Sequence, residues 1–419
     1  MAPGRSILVK ILATVSAALV AVGLAAAPAP AAAQPPWMDT TLSPDQRADL
    51  LAAAMTFDQK LLLFAPNPAP GIPELGIPGR REQDGTSGPH GLGVPTIGFP
   101  AEIALASSWD RNLARAFGDI GAEETWNLGR TGWAAPGADL TRNPFHGRQW
   151  ASAGEDPLLG GLIPASVVQG INDNPGVYAL PKHWLVNTQE TQRRTMNGEV
   201  GERALREMYV RQWEPMIAAG PGAVMCAFPQ VNGEFACEND ELVQGILKND
   251  LGFGGWVSSD FNACYTFQAF LAGTDVCGPN FPTTAELREA VLNGTIPAAR
   301  FDDMVHRILR TYFARGVIDN PPPGSTQVDT PAPSPLPADV IARGREIAYR
   351  IAVDGSVLLR NRAGALPLNP NATNSIAVIG EGADRFITPF GADTMSSPTD
   401  VVPILDGIRS RAGAGVGVT

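Results

Sequence analysis

From residue 37 to about 318, short apolar runs alternate with stretches whose apolar residues recur at helical spacing. Residues 176–180, 223–228 and Trp256–Ser259 read as short buried strands bounded by glycine or polar residues. Between the first two, residues 199–210 carry apolar side chains at the spacing of a helix. Strands alternating with helices imply βαβ units and a parallel sheet. A span of this length suits a TIM-type (β/α)8 barrel with insertions. The expected fold class is therefore α/β. The pattern then breaks at residues 319–337, where clustered prolines predict a stiff, extended linker. Beyond it, 338–354 reads as a helix and 375–380 as a buried strand opening a second α/β unit.

Composition narrows the class. With 44% hydrophobic and 17% charged residues, the 419-residue chain is globular and long enough for two domains. A net charge of −11 argues against a nucleic-acid partner. Residues 1–33 have the grammar of a signal peptide: Arg5 and Lys10, an apolar run over 11–27, and Ala31-Ala32-Ala33 before Gln34. Such a leader predicts a secreted protein with no membrane association after cleavage. Export permits disulfides. The four cysteines, Cys226, Cys237, Cys264 and Cys277, allow three connectivities, of which the sequential one closes the shortest loops. They lack the spacing of a zinc site, and neither a metal nor an organic cofactor is expected.

Four polar clusters carry candidate chemistry. Asp260 ends the apolar run over 253–259, where a barrel places catalytic side chains; the competing reading is the N-cap of a following helix. Lys182 and His183 directly follow the run at 176–180 and can orient sugar hydroxyls, or else pair with Glu190 at the surface. Arg148 offers a fork of donors, while Glu155-Asp156-Pro157 nearby fits a helix start. Asp84 sits in the Gly-rich loop 84–91, which lacks the Lys-Ser/Thr ending of a phosphate loop and could be a simple Asp-Gly turn.

Together these segments resemble glycoside hydrolase family 3, the β-glucosidase-like enzymes. The landmarks stand in family order from Asp84-Gly85 through Phe99-Pro100-Ala101, Gly147-Arg148, Glu155-Asp156-Pro157 and Lys182-His183 with Asn187, Glu190 and Arg193. Val224-Met225, Val231-Asn232-Gly233, Ser259-Asp260, the run 355–361 and Leu366-Pro367-Leu368 complete the series. The resemblance implies a barrel (37–318), the linker (319–337) and the N-terminal part of an α/β sandwich (338–419). It also implies Asp260 as nucleophile of a retaining exo-β-glycosidase acting on a small carbohydrate. Asp84, Arg148, Lys182 and His183 would hold the terminal sugar, with Met225, Phe228 and Phe261 alongside. Pairing of Cys226 with Cys237 is family-like and favours the sequential disulfides.

Three positions depart from the family pattern. Phe261 stands where Trp is usual after the nucleophile, Phe228 where Tyr is usual, and Ala151 where Glu is usual. These changes open a β-xylosidase or another β-hexosidase as alternatives to a β-glucosidase. The family's acid/base Glu belongs to the second domain, later than Thr419, and the resemblance does not assign that role to Glu381. A carbohydrate-binding protein without full catalysis is the alternative from another class.

Overall fold

The computed structural model describes residues 34–90, 93–369, 371–385 and 401–419, and Pro36–Thr419 forms one compact unit. The expected signal peptide lies outside the described residues. No helix among the described residues is long and apolar enough to cross a membrane.

Two helices open the unit, α1 (Pro44–Ala54) and α2 (Phe57–Leu62). Each starts on a reciprocal cap, Ser43 with Gln46 and Thr56 with Gln59, which satisfies backbone N–H groups that the first turn leaves unpaired. The alternation then unfolds as β1 (Glu82–Asp84), α3 (Glu102–Ser107), α4 (Arg111–Asn127), β2 (Gly132–Ala134), α5 (Leu159–Asn172), β3 (Tyr178–Ala179) and β4 (Lys182–Trp184). A short strand β5 (Asn197–Gly198) precedes a continuous helical stretch. That stretch comprises α6 (Glu202–Ala204), a π-helical segment Leu205–Val210 and α7 (Arg211–Ala218). Next come β6 (Ala223–Cys226), β7 (Gln230–Val231), β8 (Glu234–Phe235), a second π-helical segment Glu241–Asp250 and β9 (Trp256–Ser259). Helices α8 (Gln268–Leu271), α9 (Thr284–Leu292) and α10 (Ala298–Ala314) complete this region.

The inner strands pair in chain order, each parallel to the last. β1 pairs with β2 and β2 with β3; a bridge from Gly137 to Lys182 leads to β4, which pairs with β6, and β6 with β9. A last parallel bridge joins Ser258 to Val276. This is the stave order of an α/β barrel. The staves are short, and β9 is buried along its whole length, which is why its sequence, Trp-Val-Ser-Ser, holds only apolar and small residues with no alternation. Glycine sets the closest approach: a Cβ on Gly255 would stand 2.2 Å from the carbonyl oxygen of Gly222. Trp133, Trp184, Trp213 and Trp256 are fully enclosed by the surrounding helices and staves.

The proline-rich segment does more than span. Arg81, wholly buried, donates to the carbonyls of Gly324 (2.9 Å) and Gln327 (2.7 Å), and Gly79 N–H donates to Ser325 (2.8 Å). Part of the stretch expected to act as a spacer is thus laid along the barrel and pinned there. Helix α11 (Ala338–Asp354) matches its predicted span and packs on α4, burying Val340 and Ile351 and pairing Arg343 with Glu123 at 2.7 Å. Of the expected strand at 375–380, only β10 (Ser375–Ile376) forms. It pairs in parallel with β11 (Gly417–Val418), and α12 (Ile404–Ala412) lies between them in sequence.

Candidate active site

Asp260 follows β9 directly and is 6% exposed. Its N–H donates to the Cys226 carbonyl at the end of β6 (3.0 Å), and its Oδ1 accepts from the Phe261 N–H (2.7 Å). No helix begins there; the next, α8, starts at Gln268. The capping alternative therefore fails, and the carboxylate faces a cavity of about 360 Å³. Asp156, by contrast, does serve a helix start: its Oδ1 accepts from the N–H groups of Leu158 (2.8 Å) and Leu159 (2.9 Å).

The same cavity is lined by Asp84, Arg148, Lys182, His183, Met225 and Phe261. Asp84 ends β1 and pairs with the Lys182 ammonium. Its loop turns back so tightly that a Cβ on Gly85 (φ +131°) would stand 2.0 Å from the Gly88 carbonyl, so glycine is required there. Phe261 stands at the rim, 57% exposed. Phe228 departs from expectation. It is buried, does not line the cavity, and its ring is covered by the guanidinium groups of Arg193 (4.4 Å) and Arg194 (4.5 Å). Lacking a phenol, it has no polar atom to send toward the sugar, and the arginines pack on its face.

His183 is fixed from both sides. Nδ1 stands 2.9 Å from Oδ2 of Asp139, so this nitrogen carries the ring proton, and Arg148 reaches Nε2 at 3.0 Å. That same Nε2 lies 3.4 Å from Oδ2 of Asp260. Asp139 also accepts from Asn187 Nδ2 (3.1 Å). Burial works against its charge, but the His183 ring and then Arg148 outweigh burial and hold the Asp139 carboxyl below its ordinary value. Glu190 completes the outer ring, pairing with Arg193 (2.9 Å) and Arg148 (3.3 Å). Sequence reasoning passed over Asp139. The signal was present: like Asp260, it is an acid shortly after a buried strand, β2.

Disulfides brace this end of the barrel. Cys226 pairs with Cys237 and Cys264 with Cys277, with Cα separations of 5.3 and 5.8 Å. The second closes the loop between Asp260 and Gly278, both of which line the cavity. Among the described residues, no cluster of His, Cys, Asp or Glu is placed to hold a metal ion. Glu381 lies away from the cavity lining, exposed and paired with Arg385.

Parallel staves in chain order, with acids and cations gathered at the strand ends around one cavity, define an α/β barrel with a polar pocket where such barrels carry their chemistry. The family model for the glycosyl hydrolase family 3 N-terminal domain matches residues 74–311, more than half of the chain. This chain belongs to glycosyl hydrolase family 3. It is 36% identical over 318 residues to a probable β-glucosidase L of Aspergillus terreus, covering 73% of this chain and 42% of that one. Among solved structures it is similar to DesR, a β-glucosidase from Streptomyces venezuelae in complex with D-glucose. There the TM-score is 0.80 and the identity 34%, over 89% of this chain and 49% of that one. The D2-BGL β-glucosidase from Chaetomella raphigera gives a TM-score of 0.81 at 30% identity, over 90% and 56% of the two chains. The chain spans about half the length of the relatives it matches.

Proposed function

We propose that this chain carries the sugar-binding and nucleophile half of a secreted, retaining exo-β-glycosidase of β-glucosidase type. The observation that carries the reading is the convergence of Asp84, Arg148, Lys182, His183 and Asp260 on one cavity at the strand ends. Asp84 accepts from sugar hydroxyls while Lys182 and Arg148 donate to them, and His183 Nε2 holds Arg148 in place as an acceptor. Their mutual pairs keep the set in place before substrate arrives, which limits reorganisation on binding. Asp260 attacks the anomeric carbon, the bond to the leaving oxygen breaks, and a glycosyl ester forms on Oδ2 or Oδ1. Water then hydrolyses the ester with retention.

The relatives named as β-glucosidases and the glucose bound to DesR support glucose as the sugar. Phe261, at the cavity rim where the family usually has Trp, supports a site tolerant of other β-hexosides or of xylosides. The acid/base is the second half of the chemistry. Glu82, Asp84 and Asp260 are the carboxylates of the cavity lining; Glu82 pairs with Arg80, Asp84 with Lys182, and Asp260 is the nucleophile. None is free to protonate a leaving oxygen.

The test compares leaving groups. The chain should cleave a dinitrophenyl β-glucoside, whose aglycone departs unassisted, and should act on cellobiose worse by about 10²–10⁴-fold, the usual worth of general acid catalysis. Azide should accelerate turnover and yield a β-glucosyl azide. Efficient cellobiose hydrolysis with no azide effect would contradict this division of labour and make Glu381 the first residue to mutate. Sugar binding with no cleavage of even the activated substrate would favour the binding-only alternative.

A further inference from the structure

The cavity wall continues beyond the residues that face a sugar, to Asn67, Arg80, Glu82 and Arg130. Arg80 stands two residues before Glu82, and Arg130 two residues before Gly132. Since Glu82 and Gly132 are register partners, the two arginines enter the wall side by side. Arg80 is partly satisfied: it donates to Glu82 (2.8 Å) and to the Ala65 carbonyl (2.7 Å), leaving its Nε without a partner. Arg130 is different. It is 9% exposed, its Nε is enclosed without a partner, and its guanidinium meets no acceptor among the described residues. The nearby acids are committed elsewhere, Glu82 to Arg80 and the Tyr178 hydroxyl (3.1 Å), and Asp84 to Lys182.

A guanidinium cannot shed its charge at any ordinary pH, so a buried one without a counter-charge is costly. Burial, and then the charge of Arg81, already push Arg130 below its ordinary value. The fold nevertheless keeps this cation on a cavity wall beside a second arginine. Planar forks of N–H donors match oxyanions bidentately, and they do so best where water is excluded.

We propose that Arg130, with Arg80 beside it, forms an oxyanion subsite of this cavity, taking a carboxylate or phosphate group. The anion has two possible sources: an acidic substituent carried by the bound sugar, or a free anion resting under a neutral one. The inference stands on the cavity wall and not on the glycosidase chemistry, so it survives or fails independently of Asp260.

Thermal unfolding of the chain at constant ionic strength tests it, with inorganic phosphate, glucose and glucuronate as probes. Phosphate or glucuronate should raise the Tm, as any ligand of the folded state does. The shift should vanish in Arg130→Met and shrink in Arg130→Lys, which keeps the charge without the fork. Ligand-free Arg130→Met should unfold no earlier than the parent, because it removes an uncompensated charge. Glucuronate acting at concentrations at least about tenfold below glucose assigns the anion to the sugar. Additive shifts from phosphate and glucose assign it to a free anion. The proposal is overturned if neither anion shifts the parent's Tm, or if Arg130→Met responds as the parent does. An Arg130→Met that fails to fold leaves the decision to Arg130→Lys, where an undiminished phosphate or glucuronate shift overturns the proposal.

Discussion

Asp139 and Glu124 are both buried carboxylates, 3% and 0% exposed, in two regions of the same barrel, and their surroundings drive them in opposite directions. Asp139 follows β2 and meets His183 and Asn187; against burial, the His183 ring and then Arg148 hold its carboxyl below the ordinary value. Glu124 lies among the buried residues of α4, where burial pushes it up to about 8 despite the Ile97 N–H donating to it at 2.8 Å. The first is a charge that the site was built to keep; the second is an acid that the core keeps neutral. The difference lies in the partners each carboxylate meets: His183 and Arg148 for Asp139, and a single backbone N–H for Glu124.

Removing the proposed nucleophile should give the largest effect. Asp260→Asn should lower turnover of an activated β-glucoside by roughly 10⁴–10⁶-fold, the range found when a covalent nucleophile is lost. Its Tm should hardly move, because its Phe261 N–H contact can persist with an amide oxygen. A residual activity above a hundredth of the parent's would break the contrast between site and scaffold.

Asp139→Asn comes next. The charge that sets the His183 tautomer disappears, and a ring displaced by about 1 Å can cost on the order of 10²-fold in kcat/KM. A depressed acid contributes stability that is present above its unfolded value of 3.8 and lost as pH falls through the lower folded value. The Tm gap between parent and Asp139→Asn should therefore close only in strong acid.

Glu124→Gln sharpens the comparison with a smaller effect of opposite sign. The ordinary value is 4.5 and the folded one about 8, so the folded state binds the extra proton between them and stability falls as pH rises through that window. Glutamine keeps the acceptor for Ile97 and should stabilise the protein at pH 7 by on the order of 1–3 kcal/mol. That gain should vanish below pH 4.5. Destabilisation at pH 7 would mean that Glu124 is charged in the fold.

Much of this design was legible in the sequence, for physical reasons that differ between residues. The stave leading to Asp260 announced itself because a strand buried on both faces carries apolar and small residues without polar alternation. Helix α11 was legible because its apolar face repeats at helical spacing between a proline and a glycine. Asp139 was not, since an acid five residues beyond a three-residue strand looks like any turn until the His183 ring is placed against it. Phe228 misled because family order fixes a backbone position, whereas the stacking of Arg193 and Arg194 depends on tertiary packing. The docking of the proline-rich segment was also hidden, because its partner Arg81 lies more than 240 residues away in sequence.

The central claim is that Asp260 attacks the anomeric carbon, and covalent labelling tests it most directly. A 2-deoxy-2-fluoro β-glucoside with a dinitrophenolate leaving group should inactivate the chain, because fluorine slows breakdown of the glycosyl ester more than departure of so good a leaving group. Peptide mapping should place one label on Asp260, with none in Asp260→Asn. A label on Asp84, Glu82 or Glu381, or full labelling of Asp260→Asn, would contradict it.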